Sequence, residues 1–219
     1  MKRIEKKHVL NHQKAPDYSN VEGVGEINKI ITRLDQKHFL ERKVKFLLDI
    51  RGYLLLNNIK GDYVEFGSYR SEMQYSAYKI LKDTKTTRNY IGLDTFCGEP
   101  DLTENDAKHA ENIRSKEFYS SYEKTLNFVN NYIGKTGHLI KGDFREKNVI
   151  EKLNKFKKFN VVVIDCNLLS SIKSALEYVI PRMTPGGVIF IDDYYVNCSK
   201  GVLATKNLFN EVLNAYNKK

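Results

Sequence analysis

Five short apolar runs, at residues 62–66, 90–93, 138–140, 160–164 and 188–191, recur along this chain of 219 residues with helix-patterned sequence between them. Strands joined by a crossover helix lie parallel, so the repeat predicts an α/β chain built on one doubly wound parallel sheet. Behind the first run, Met73, Ala77, Ile80 and Leu81 form one helical stripe. Ser71-Glu72-Met73-Gln74 has the Ser-x-x-Gln form of a capping box and places the helix start at Ser71. Further helices are predicted over 105–133, 147–154, 171–180 and 200–216, and Pro185-Gly186-Gly187 predicts a turn into the fifth strand. Residues 26–58 precede the first strand and read as helical, with Val44, Leu47, Leu48, Tyr53, Leu54 and Leu55 making the second half almost wholly apolar.

Ligands of such sheets sit beyond the carboxyl ends of the strands. The residues standing there are Glu65-Phe66-Gly67-Ser68, Asp94-Thr95-Phe96, Gly142-Asp143-Phe144, Asp165-Cys166-Asn167 and Asp192-Asp193. Every strand therefore ends beside a carboxylate, which solvation of loops alone does not account for. Gly67 lets backbone pass close to a ligand, and the amides opening the next helix suit a negative group. Asp94 follows Gly67 by 27 residues (94 minus 67), near the offset at which a second-strand acid takes ribose hydroxyls. The turn Gly67-Ser68-Tyr69-Arg70-Ser71-Glu72 lacks the later glycines of G-x-G-x-x-G, which speaks against a pyrophosphate-bearing cofactor and for a simpler nucleoside.

The net charge of +9 is concentrated partly in the tails, and residues 1–25 read as a basic, flexible arm. No nucleic-acid recognition motif accompanies the charge, so that role ranks last. Cys97, Cys166 and Cys198 form no C-x-x-C pair and read as reduced thiols. No apolar stretch reaches the ~20 residues of a membrane span, and the amino terminus has no apolar signal core, which together give a cytoplasmic expectation. Residues 26–219 form a single expected domain, with 26–58 as a helical cap and 97–134 as a lid-like insert. Tyr119 and Tyr122 in that insert read as core rather than as a stacking surface, and Cys97 and Cys166 as small packing residues.

The strings Tyr63-Val64-Glu65-Phe66-Gly67-Ser68-Tyr69-Arg70-Ser71, Tyr90-Ile91-Gly92-Leu93-Asp94-Thr95-Phe96, and Val163-Ile164-Asp165 through Pro185-Gly186-Gly187 to Asp192-Asp193-Tyr194 resemble the macrocin O-methyltransferase family. The resemblance covers roughly residues 40–215. It implies a Rossmann-like class I methyltransferase fold with strand order 3-2-1-4-5, and S-adenosylmethionine as cofactor. By that resemblance Glu65, Gly67 and Ser68 hold the methionine part, Asp94 with Thr95 and Phe96 the ribose, and Gly142, Asp143 and Phe144 the adenine. Asp165 is implied both at the cofactor and as catalytic base, and Asp165, Asp192 and Asp193 as ligands of a Mg²⁺ ion. The implied acceptor is a hydroxyl of a sugar or glycoside, and the implied assembly a homodimer using the apolar helices before residue 60.

Two departures from the family pattern stand out. Asn167 and Leu169 occupy places where many members have a second acid and an aromatic, and the usual C-terminal antiparallel hairpin is absent, leaving a five-stranded sheet. A catechol-like phenol O-methyltransferase and an inactive descendant that binds cofactor or partner are the alternatives.

Overall fold

The computed structural model describes residues 37–109, 118–195, 198–199 and 202–218. The expected basic arm and the first part of the helical cap lie outside these residues. The described chain opens with helix α1 (Lys37–Leu56), then alternates β1 (Gly61–Phe66), α2 (Glu72–Leu81), β2 (Thr87–Asp94), α3 (Glu104–His109), α4 (Tyr122–Tyr132), β3 (Gly137–Lys141), α5 (Lys147–Ile150) and β4 (Phe159–Ile164). It closes with α6 (Leu169–Val179), β5 (Met183–Ile191), a two-residue pair β6 (Cys198–Ser199) and β7 (Val202–Leu203), and α7 (Ala204–Asn217). The main sheet has five parallel strands in the order β3-β2-β1-β4-β5, as predicted. The small antiparallel pair stands apart from it.

Alternation of side chains along the strands builds two cores. Tyr63, Tyr90, Val161 and Val163 face α1 and α2, where they pack with Val44, Leu47, Leu54, Ala77, Ile80 and Leu81. Val64, Phe66, Ile91, Leu93, Val162 and Ile164 face the other way, against Val149, Ile172, Ala175, Leu176 and Val179. A helix layer on each face explains why the strands are apolar runs rather than alternating ones. Each fully buried aliphatic side chain contributes about 1.5–3 kcal/mol relative to exposure.

Three expectations are revised. The capping box does not form: Ser71 takes a positive φ of 64° and makes no side-chain cap bond. Gln74 is fully buried and turns to the sheet, where its amide donates to the carbonyls of Tyr90 (2.8 Å) and His138 (3.0 Å) and so ties α2 to β2 and β3. The helix predicted over 105–133 is divided. α3 is described over Glu104–His109, Phe118 has φ 59°, and α4 starts afresh with Ser121 as its cap. Finally, Pro185-Gly186-Gly187 is an excursion inside β5: Phe159 pairs with Met183, and the register resumes only at Val161 with Val188.

The path of α1 decides which of its residues reach the sheet edge. Phe46 packs on Phe190 (4.9 Å between ring centres), and the Tyr53 hydroxyl donates to the Gly186 carbonyl at 2.9 Å. The helix thus runs antiparallel to β5, and its early residues arrive at the carboxyl edge of the sheet.

Candidate active site

The ladder of parallel strands brings the strand-end residues level. Gly67 N donates to Leu93 O (2.9 Å), Gly142 N to Asp94 O (2.9 Å), Asp165 N to Phe66 O (2.9 Å) and Asp192 N to Ile164 O (3.0 Å). A cavity of about 320 Å³ lies on this edge, lined among others by Gly67, Asp94, Thr95, Asp143, Phe144, Asp165, Asp192 and Asp193. Those eight come from the predicted set. Glu65, Ser68, Phe96 and Gly142 instead support the wall from behind. Ser68 and Phe96 are buried to 2% exposure, Phe96 meets Tyr122 edge-on at 5.2 Å, and Gly142 stands against Val149.

Glu65 is also buried, accepting a hydrogen bond from the Tyr63 hydroxyl at 3.0 Å. Burial first, and then the charge of Asp165, push its pKa well above the ordinary carboxylate range, against the pull of Lys43 and Tyr63.

At the β2 end, local backbone fixes the acids. Asp94 accepts from Tyr69 N and Phe96 N, both at 2.8 Å. Burial raises its pKa, and these amides only partly offset that. Gly67 makes the turn possible: it has φ +85°, and a Cβ there would run into the Asp165 carbonyl. Asp143, two residues past β3, is clamped by the guanidinium of Arg145 (2.7 and 2.9 Å to Oδ2). Arg145 also donates to Asp101 O (2.9 Å) and Ser170 Oγ (3.1 Å). Ser170 and Thr103 in turn satisfy the buried Asp106: Ser170 N, Ser170 Oγ, Thr103 N and Thr103 Oγ1 all donate to it. Burial alone would raise the pKa of Asp106, but the four donors reverse this and lower it. The insert is thereby fastened to α6.

At the β4–β5 end the pattern differs. Glu65, Asp165 and Asp192 continue the alternation that points Tyr63, Val163 and Phe190 toward the α1 side of the sheet. Lys43 of α1 meets them there. Its ammonium hydrogen-bonds Asp165 Oδ2 and lies 3.5 Å from Asp192 Oδ2, with the side chains of Lys43 and Asp192 only 10% and 8% exposed. Burial opposes the lysine's charge, yet Asp165, Asp192 and Glu65 outweigh it, so its pKa stands above the usual value. Asp165 is pushed up to about 6 by burial and by Asp192, against Lys43. Burial and the neighbouring acids likewise push the Cys166 thiol well up, leaving it a protonated packing residue.

These acids do not fit a divalent ion as they stand. Among the described residues no group of three or more His, Cys, Asp or Glu is arranged to hold a metal, and the space between Asp165 and Asp192 belongs to Lys43. Unit charges at ~4 Å interact by about 4 kcal/mol near a protein surface. An ion of charge two beside the ammonium would be repelled about twice as strongly.

Sequence reasoning missed several lining residues: Lys43, Tyr69, Glu99, Phe118 and Ser171. The signal for Lys43 was present, since 43, 47, 50 and 54 form one helical stripe whose other members, Leu47, Ile50 and Leu54, are core. Glu99 comes from the loop after β2 and accepts from Asn167 Nδ2 at 2.5 Å. Phe118 is 56% exposed, and Tyr119, expected in the core, is 63% exposed. Tyr122 is half-buried under Lys141.

Solved structures share this fold. The O-methyltransferase NovP is 23% identical and has a TM-score of 0.68, with 81% of this chain covering 73% of NovP. Apo CalS11, a TDP-rhamnose 3'-O-methyltransferase of calicheamicin biosynthesis, is 15% identical with a TM-score of 0.53, covering 92% and 80% of the two chains. The SAH-bound methyltransferase PaMTH1 of Podospora anserina is 12% identical with a TM-score of 0.50, covering 90% and 78%. No curated protein sequence gives a match, and among the described residues no helix is long and apolar enough to cross a membrane. The profile of the macrocin O-methyltransferase (TylF) family matches residues 40–213, so the chain belongs to that family of O-methyltransferases.

Proposed function

We propose that this chain transfers the methyl group of S-adenosylmethionine to a hydroxyl of a sugar or glycoside. The observation that carries the reading is the cavity that joins Gly67, Tyr69 and Asp94 at one end to Asp165, Asp192 and Asp193 at the other. The residues present suit the cofactor. Asp94, already oriented by two amides, keeps lone pairs for ribose hydroxyls, while Asp143 and Phe144, which line the same cavity, would border the adenine. Bound there, the cofactor supplies a methyl group activated on sulfonium.

The remaining work falls to the chain. Asp165 accepts the acceptor's hydroxyl proton, and burial with the neighbouring Asp192 gives it a pKa of about 6, close to what a general base needs at neutral pH. Lys43 fixes the Asp165 carboxylate through Oδ2. With cofactor and acceptor bound, the cavity walls would restrict the oxygen to the line of the methyl–sulfur bond, and such positioning accounts for much of the acceleration in a displacement of this kind. A sugar acceptor agrees with the activity named for CalS11 and with the family assignment.

Calorimetric titration with S-adenosylmethionine tests the first half of the reading. Release of S-adenosylhomocysteine from a panel of nucleotide sugars and glycosides, beginning with TDP-rhamnose, tests the second. Micromolar cofactor binding is expected; no binding would end the proposal.

A further inference from the structure

We propose that Lys43 is the resident cation of the acid cluster, a tethered ammonium standing between Asp165 and Asp192 in place of a divalent ion. Three observations carry this. Strand alternation places Asp165 and Asp192 on one face of β4 and β5, beside the buried Glu65 of β1, and the charge of that acid pair needs a counter-charge. α1 delivers that charge from a fixed direction: Lys43 occupies a stripe whose other members, Leu47, Ile50 and Leu54, are packed in the core, so the backbone of Lys43 is held against this face of the sheet. Finally, its ammonium hydrogen-bonds Asp165 and pairs with Asp192 at 3.5 Å, while Arg42 on the same turn lies 3.6 Å from the other Asp192 oxygen. The cations of α1 thus face both oxygens of Asp192.

An ammonium and Mg²⁺ are different tools. Mg²⁺ demands near-octahedral oxygen ligands at about 2.0–2.1 Å, whereas an ammonium offers three donors at hydrogen-bond distance. With Lys43 in place, Asp165 stays oriented, and the ammonium puts a positive charge on the wall of the cavity in which the acceptor oxygen would lose its proton. The consequence is methyl transfer that needs no divalent ion. Only this kinetic consequence rests on the proposed function; the occupancy of the acid cluster can be read on the protein alone.

The experiment titrates Mn²⁺ into the full chain and follows free ion by electron paramagnetic resonance, with and without S-adenosylhomocysteine. Wild type is expected to leave the Mn²⁺ signal undiminished up to about 1 mM, weaker than the weakest dedicated calcium modules. Lys43→Met is expected to take up Mn²⁺ at least about tenfold more tightly, and Lys43→Arg to behave as wild type. Depletion of the Mn²⁺ signal by wild type below about 0.1 mM would overturn the proposal, as would a folded Lys43→Met that gains no affinity. The wild-type titration decides the matter even if Lys43→Met does not fold. A parallel calorimetric titration with S-adenosylhomocysteine separates the two readings: its failure strikes the methyltransferase site and leaves the Mn²⁺ result legible. Once an acceptor is found, turnover should be unchanged by EDTA.

Discussion

At the β2–β3 end of the sheet, Asp94 is held by amides of its own loop and of the first-strand turn, and Asp143 by an arginine two residues away. At the β4–β5 end, Asp165 and Asp192 meet a lysine that lies 122 residues from Asp165 in sequence. The first arrangement is assembled from neighbours and is satisfied before any ligand arrives. The second exists only once α1 has docked, and it leaves Asp192 Oδ1 buried without a hydrogen bond. The half proposed to hold the cofactor is thus set by local geometry, and the half proposed to carry the reaction is set by long-range packing.

The comparison breaks most sharply at Asp165. Asp165→Asn should lower kcat by roughly 10²–10⁴ while leaving cofactor affinity near wild type, as measured by turnover and calorimetry side by side. In wild type the rate should fall as pH drops through about 6, because the base must be ionised; a profile flat from pH 5 to 8 would remove Asp165 from that role.

Asp106→Ala strands donors in a buried site and should cost about 2–4 kcal/mol in denaturant unfolding. The folded-state pKa of Asp106 is lowered. Its contribution to stability is therefore complete above about pH 4 and fades as pH falls through the folded-state value. Asp94→Ala should weaken cofactor binding by about 1.5–3 kcal/mol and spare stability by comparison, the reverse of the Asp165 pattern. The smallest effect should come from Tyr53→Phe, about 0.5–1.5 kcal/mol of stability, because its bond to Gly186 is exposed.

The same contrast explains what could be read from the sequence. Strand order, the level row of strand ends and the acids upon it follow from period-two and helical patterns, which are local. The Ser71 cap failed because the buried Gln74 amide found two sheet carbonyls, a tertiary demand that outranks a capping motif. Lys43 could be seen as a charge on an apolar stripe, but its partners could be named only by knowing that α1 runs antiparallel to β5. Glu99 meeting Asn167 across 68 residues had no local signal at all.

Lys43 is pinned just beyond the carboxyl end of β5 and Tyr53 near its start, and the ten steps between them (53 minus 43) span about 15 Å of helix. α1 is therefore a strut. A strut fixed at both ends can twist but not slide, so the aim of the ammonium is set partly by a tyrosine at the far side of the sheet. The edge proposed to carry the reaction takes its shape from a helix rather than from the loops that surround it.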